Sequence, residues 1–128
     1  MLNFQDLKLN NRTPVYIQIA FYVKQQILLG KVSSGDPLPS RREIATQLNI
    51  NPNTAQKAFK LMEDEGYVIT NGNQGSVIYI DENVYSRIKT ELTQNMLKDF
   101  ISTAKAIGLS FKDVIELISK YWDEGEHH

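Results

Sequence analysis

Apolar residues return every three or four positions between Tyr16 and Ile27 (Tyr16, Ala20, Val23, Ile27), the spacing of one face of an α-helix. Thr13 as N-cap and Pro14 as first helical residue open this helix, and Gly30 ends it. Ile17, Phe21 and Leu28 form a second apolar face, which is either sandwiched inside its own domain or turned to a partner subunit or the C-terminal segment. The polar loop "KVSSGDPLP" follows. Ser40 and Glu43, three residues apart, make a capping box for a second helix with the stripe Ile44, Ala45 and Leu48. In "NPNT", Asn51 caps a third helix and Pro52 takes its first position. Ala55, Ala58, Phe59 and Met62 then give it a clean amphipathic stripe, up to Gly66. Two β-rich runs, Tyr67–Thr70 and Ser76–Ile80, flank the small polar tip Asn71-Gly72-Asn73-Gln74-Gly75 and predict a β-hairpin. From Asp81 the period is helical only: Val84, Ile88, Leu92, Met96, Phe100, Ala104 and Ile107, a break at Gly108, a second capping box at Ser110 and Asp113, and a shorter helix through Phe111, Val114, Ile115, Ile118 and Trp122.

The second and third helices are joined by a turn too short to be a linker, so they must cross steeply and one of them must protrude. Ala45 and Ala55 keep the crossing point small, while Leu48, Ile50 and Ala58 fill the angle. Asn49 stands at the sharp turn, where a positive φ is often required and Asn tolerates it. A helical hairpin of an unrelated bundle is the alternative. The hairpin after Gly66 favours the order helix, helix, helix, β-hairpin of a winged helix-turn-helix. The fold class expected is therefore mainly α with a small β-hairpin: an N-terminal winged helix-turn-helix over residues 1–80, then a short C-terminal two-helix dimerisation segment over residues 81–128.

Composition narrows the function more by what it lacks. The chain of 128 residues has 41% hydrophobic residues and no cysteine, and its two histidines are the last two residues, His127 and His128. With no thiolate, no interior imidazole, no phosphate-cradling glycine loop and no paired carboxylates on a defined scaffold, neither an enzyme, a metal site nor a bound cofactor is expected. No apolar run approaches the roughly 18–20 residues of a membrane span, and the start lacks a basic stretch leading into an apolar core, so a soluble cytoplasmic protein is expected. The net charge of −1 looks unpromising for a nucleic-acid binder, but it is unevenly spread. Residues 1–80 carry eight Lys and Arg against six Asp and Glu, and residues 81–128 carry six against nine. The mildly basic front and acidic back suggest separate jobs, with binding that leans on geometry and dimerisation more than on bulk charge.

The stretch "PVYIQIAFYVKQQILLGKVSSGDPLPSRREIATQLNINPNTAQKAFKLMEDEGYVITNGNQGSVI" resembles the N-terminal domain of the GntR family of bacterial transcription regulators. The short all-helical tail resembles the YtrA subfamily, where other branches carry much larger effector domains. The resemblance implies a DNA-binding repressor whose target is often a transporter operon. It also implies that Arg42 contacts DNA and that the hairpin is a wing reaching the minor groove or the phosphates. Many family members carry arginine where Pro52 and Gln56 stand here, so a guanine-reading scheme does not transfer; Asn53 and Thr54 are expected to carry more of the readout.

The expected DNA-binding set is Ser40, Arg41, Arg42, Asn51, Asn53, Thr54, Gln56, Lys57, Lys60, Asn71, Gly72 and Gly75. With Ala55, Phe59 and Met62 turned inward, the third helix leaves Asn53, Thr54, Gln56, Lys57 and Lys60 outward or at its flanks. Asn and Gln amides match the adenine edge, Thr offers a methyl or a hydroxyl, and Arg41 and Arg42 suit phosphates or a guanine edge. No Arg or Lys stands between Asn71 and Ser76, so the wing's part rests on backbone N–H groups at Gly72 and Gly75 and is modest. The two C-terminal helices are too small to bury their apolar faces alone. Packing against the same pair of a second chain, through Val84, Ile88, Leu92, Met96, Phe100, Phe111, Ile115, Ile118 and Trp122, would make a homodimer on a palindromic double-stranded operator. The alternatives are packing back on the same chain's first domain and, for the whole protein, a winged helix that binds protein. A tail this short cannot enclose a ligand pocket of ~300 Å³, so no dedicated effector pocket is expected and an effector itself is left open.

Overall fold

The computed structural model describes residues 2–72 and 75–124. Its elements are α1 (Val15–Leu28), α2 (Arg41–Leu48), α3 (Pro52–Asp64), β1 (Val68–Thr70), β2 (Ser76–Ile78), α4 (Glu82–Ala106) and α5 (Phe111–Tyr121). The chain divides into two compact units, the first through Lys89 and the second from Thr90, with the division inside α4.

In the first unit α3 is central, packed by α1 on one side and α2 on the other. Its expected stripe is the observed core: Ala55, Ala58, Phe59 and Met62 are buried together with Ile19, Val23, Ile44 and Tyr67. α2 has the reciprocal capping box, with Ser40 Oγ accepting from Glu43 N at 3.0 Å and Glu43 Oε1 accepting from Ser40 N at 3.1 Å. It ends at Asn49, the one described non-glycine residue with positive φ, at 55°. That left-handed residue turns the chain within two positions so that Asn51 can cap α3 through a bond from Asn53 N, with Pro52 at the first helical position.

β1 and β2 pair antiparallel in the register Val68 with Ile78 and Thr70 with Ser76. The loop before α2 adds a third rung on the other side of β2. Leu38 N donates to Ser76 O at 2.9 Å, and Gly35 N and Ile78 N bond to Ile78 O and Asp36 O. The strands are shorter than expected: beyond the Val68–Ile78 pair one cross-strand bond remains, from Tyr79 N to Tyr67 O at 3.0 Å, and the regular pairing ends there. Tyr67 turns into the core, and Ile80 N bonds to Ser34 Oγ.

Three details depart from the sequence-based picture. The first helix starts one residue later than expected. Pro14, with φ −52° and ψ 139°, lies outside it as N-cap, and no side chain caps the end. Gln18 explains this shift: its buried amide takes the carbonyls of Asn10 and Thr13 and accepts from Asn10 N, which holds the lead-in extended. Second, Leu2 and Phe4 are buried although they precede any periodic element; Phe4 N donates to Gln47 Oε1 at 3.0 Å, and its ring lies 5.4 Å from that of Tyr22. Third, Tyr16 is only half-buried, while on the second face of α1 Ile17 and Phe21 are 38% and 46% exposed within this chain.

The start of α4 belongs to the first unit. Asp81 Oδ1 accepts from Val84 N, Val84 and Ile88 are buried, and Arg87 reaches the Glu65 carbonyl. In the second unit, the rest of α4 turns through Gly108, φ 82°, into α5, which Ser110 and Asp113 cap by the expected box. Here Ala104 is buried, whereas Met96, Phe100, Phe111, Ile115, Ile118 and Trp122 are exposed.

Candidate nucleic-acid interface

The crossing of α2 and α3 decides which side chains are available. Burial of Ala55, Ala58, Phe59 and Met62 turns Asn53, Gln56, Lys57 and Lys60 to solvent on one side of α3, with Thr54 half-buried at the edge. Six of the expected DNA-binding residues thus lie on α3 or at its start, and they share one exposed helical face with its amino-terminal end. Their states differ. The Asn51 carboxamide oxygen is already engaged as the cap of α3. Lys60 lies 3.6 Å from Asp64, an exposed pair one turn apart that is too weak to hold the ammonium against a phosphate. The Lys57 ammonium stands 6.0 Å from the Tyr16 ring, which places the first turn of α1 beside the exposed face of α3.

At the start of α2 the two arginines diverge. Arg42 is exposed, and among the described residues no ion pair or side-chain hydrogen bond holds its guanidinium. Arg41, expected as its equal, is half-buried: its guanidinium carbon lies 4.5 Å from the centre of the Phe59 ring, Nη2 lies 3.3 Å from Glu63 Oε1, and Nε is buried without a partner. A guanidinium laid on an aromatic face and paired to a carboxylate is not free to follow a phosphate.

In the hairpin, Asn71 N donates to Gly75 O at 3.0 Å, and Gly72 and Gly75 have φ of 44° and 83°. Among the described residues nothing lies within 4 Å of a Cβ placed on either glycine, so each is there for its backbone angle. Asn73 and Gln74, the remainder of the expected tip, lie outside the described residues.

The residues expected to form the second interface are not brought together as one surface. Ile88 is 1% exposed and Val84 6%, both covered within their own chain in the first unit, so neither offers area to a partner. Leu92 is half-buried. Met96, Phe100, Ile118 and Trp122, with Leu97 and Tyr121, line an apolar groove of about 390 Å³ between α4 and α5. Phe111 and Ile115 line another of about 300 Å³. Leu97, Ile101 and Tyr121, exposed apolar residues one position off the expected stripes, join this surface; a second apolar face on α4 and α5 is their signal in the sequence. Among the described residues no helix is long and apolar enough to cross a membrane, and no group of three His, Cys, Asp or Glu stands ready for a metal ion.

Comparison with known proteins agrees with this geometry. The signature described as bacterial regulatory proteins, gntR family, matches residues 15–78, from the start of α1 to the end of β2. The chain is 32% identical over 120 residues to the HTH-type transcriptional regulator YhcF of Bacillus subtilis (strain 168), covering 94% of this chain and 99% of that one. It is 37% identical over 111 residues to the HTH-type transcriptional repressor YtrA of the same organism, covering 84% of each. A solved GntR family transcriptional regulator from Listeria monocytogenes superposes with a TM-score of 0.80 at 28% identity, over 88% of this chain and 98% of that one. With its helix-turn-helix, paired-strand wing and short helical tail, the chain belongs to the GntR family of bacterial transcription regulators, in the YtrA subfamily, and is not an enzyme.

Proposed function

We propose that this protein is a repressor that binds a palindromic operator as a homodimer, with the amino-terminal half of α3 in the major groove. The observation that carries this reading is the two-sidedness of α3: one side supplies the core of the first unit, and the other presents Asn53, Gln56 and Lys57 exposed to solvent. Asn53 and Gln56 are suited to adenine edges, Thr54 to a thymine methyl or a phosphate, Lys57 and Lys60 to phosphates, and Arg42 to a phosphate or guanine edge beside them. Ser40 and the backbone N–H groups near Gly72 and Gly75 add positioning contacts. The exposed apolar residues of α4 and α5 support self-association, because a two-helix unit of this size does not bury its own faces. The name of the Bacillus subtilis relative YtrA supports repression, and the resemblance implies an operator at a transporter operon, often the regulator's own.

The test is a gel shift on a duplex carrying the protein's own upstream region, repeated over a salt series. A steep loss of affinity with salt is expected, and Arg42→Ala should weaken binding on the order of tenfold or more. Absence of any shift at low salt would sink this reading and favour a winged helix that binds protein.

A further inference from the structure

We propose that Arg41 and Glu63 are positioning residues that set the angle of the wing to the recognition helix. This rests on the DNA-binding reading above and reassigns Arg41 from the contact set to the framework.

Four side chains from four elements form one continuous chain. Arg41, the first residue of α2, lies on Phe59 of α3 and pairs with Glu63 in the last turn of the same helix. Glu63 Oε1 also accepts from Thr70 Oγ1 of β1 at 2.7 Å, and Thr70 Oγ1 lies 2.6 Å from Ser76 Oγ of β2. The proton order follows from chemistry. A carboxylate only accepts, so the single Thr70 hydroxyl proton goes to Glu63, and Ser76 must donate to Thr70. Ser76 is itself buried, and its carbonyl takes Leu38 N from the loop that leads into α2. The network therefore begins and ends at the start of α2 and encloses the last turn of α3 and the strand pair next to the hairpin's tip.

The hairpin is otherwise held by Gly66 and Tyr67 at its base, by burial of Val68 and Ile78, and by the loop before α2 along the other side of β2. A two-stranded ribbon of three residues per strand is not rigid alone. Glu63 hydrogen-bonds the last residue of its first strand to the helix, and Arg41 pairs with the same Glu63 oxygen, Oε1. Because the Arg41 plane is held by a buried aromatic ring, the pair is directional and not a loose surface contact. If wing and helix must meet the duplex together, any freedom in their angle lowers the competent fraction and raises the apparent Kd in proportion.

Electrostatics alone makes the opposite prediction, and this makes the proposal testable. Removing an acid from a DNA-binding surface should tighten binding. The experiment measures salt-dependent affinity for the upstream duplex with Glu63→Ala, Glu63→Gln, Thr70→Val and Arg41→Ala, alongside Arg42→Ala, with thermal melting as the folding control. Glu63→Ala should bind about tenfold more weakly despite its lost negative charge. Thr70→Val should move the same way, and Arg41→Ala with Glu63→Ala should be no worse than the worse single change. The slope of log affinity on log salt should be unchanged in all of them but reduced by about one in Arg42→Ala. Should Glu63→Ala melt early, Glu63→Gln and Thr70→Val carry the test. Wild-type or tighter binding by the folded Glu63 variants, or a slope reduced by about one in Arg41→Ala, overturns the proposal while leaving the DNA reading intact. A wild-type protein that shifts no DNA overturns both.

Discussion

Asn49 shows how much a single residue can decide. It holds φ 55° and ψ 53° at the end of α2, and its N–H closes onto Thr46 O while Ile50 N closes onto Ala45 O. A side chain with a Cβ resists that conformation, more so when Cβ is branched; Asn is among the few that accept it. Asn49→Ala should therefore destabilise the protein by about 1–2 kcal/mol in urea unfolding, while Asn49→Gly should be close to neutral, since relief of strain offsets the greater freedom of the unfolded chain. An equal loss in both variants would mean that the carboxamide, not the backbone angle, is what matters. Residue scale is also where Arg41 and Arg42 separate. Adjacent, of one type and in the same helical turn, they differ because only Arg41 falls over Phe59.

Among the elements, α4 and α5 begin on carboxylates whose ionised form the fold favours. The Ser110 backbone N–H, and then its hydroxyl, hold Asp113 below the ordinary carboxylate value of 3.8. The Val84 N–H, followed by the Tyr79 hydroxyl, does the same for Asp81, and the hydrogen-bonded Asp81 carboxylate in turn pushes Tyr79 up. The direction gives the sign. A carboxyl group whose folded value lies below its unfolded one contributes stability at pH above the unfolded value, and that contribution is lost as pH falls through the folded value. Thermal melts should therefore show stability falling as pH drops below 3.8. Asp113→Asn should melt lower at neutral pH and lose less on acidification than the wild type; parallel curves for the two proteins would contradict the assignment. α3 needs no such device, since its cap is neutral Asn51 and its hold is the buried stripe.

At the scale of the whole molecule, the exposed apolar residues of the second unit matter most. Ile118 and Phe100 line both the groove of about 390 Å³ and the groove of about 300 Å³. A charge there should oppose burial against a second copy, so on the proposed homodimer Ile118→Glu is expected to sediment as a monomer and the wild type as a dimer. Losing the second half-site contact should then weaken operator binding on the order of 100-fold, while each first unit stays folded. A dimeric Ile118→Glu protein would move the interface elsewhere, to the exposed Ile17 and Phe21 face of α1, for example.

The sequence by itself determined whatever depends on neighbours within about one helical turn. The two capping boxes, the Asn51–Pro52 helix start, the left-handed Asn49, the buried stripe of α3 and the hairpin order could all be read from spacing, because each is a local backbone requirement met by a local side chain. The family resemblance rested on the same stretch. Tertiary structure alone decided which of two like side chains is free. Arg41 is committed to Phe59 and Glu63, eighteen or more residues away in the chain; Val84 and Ile88 are spent inside the first unit; Phe4 fills a space beside Tyr22 and Gln47; and Gln18 displaces the expected helix start. For Arg41, Val84, Ile88 and Phe4 the energy comes from burial or pairing between segments that only the fold brings together, and for Gln18 from bonds to the carbonyls of Asn10 and Thr13; no periodicity along the chain encodes these partners.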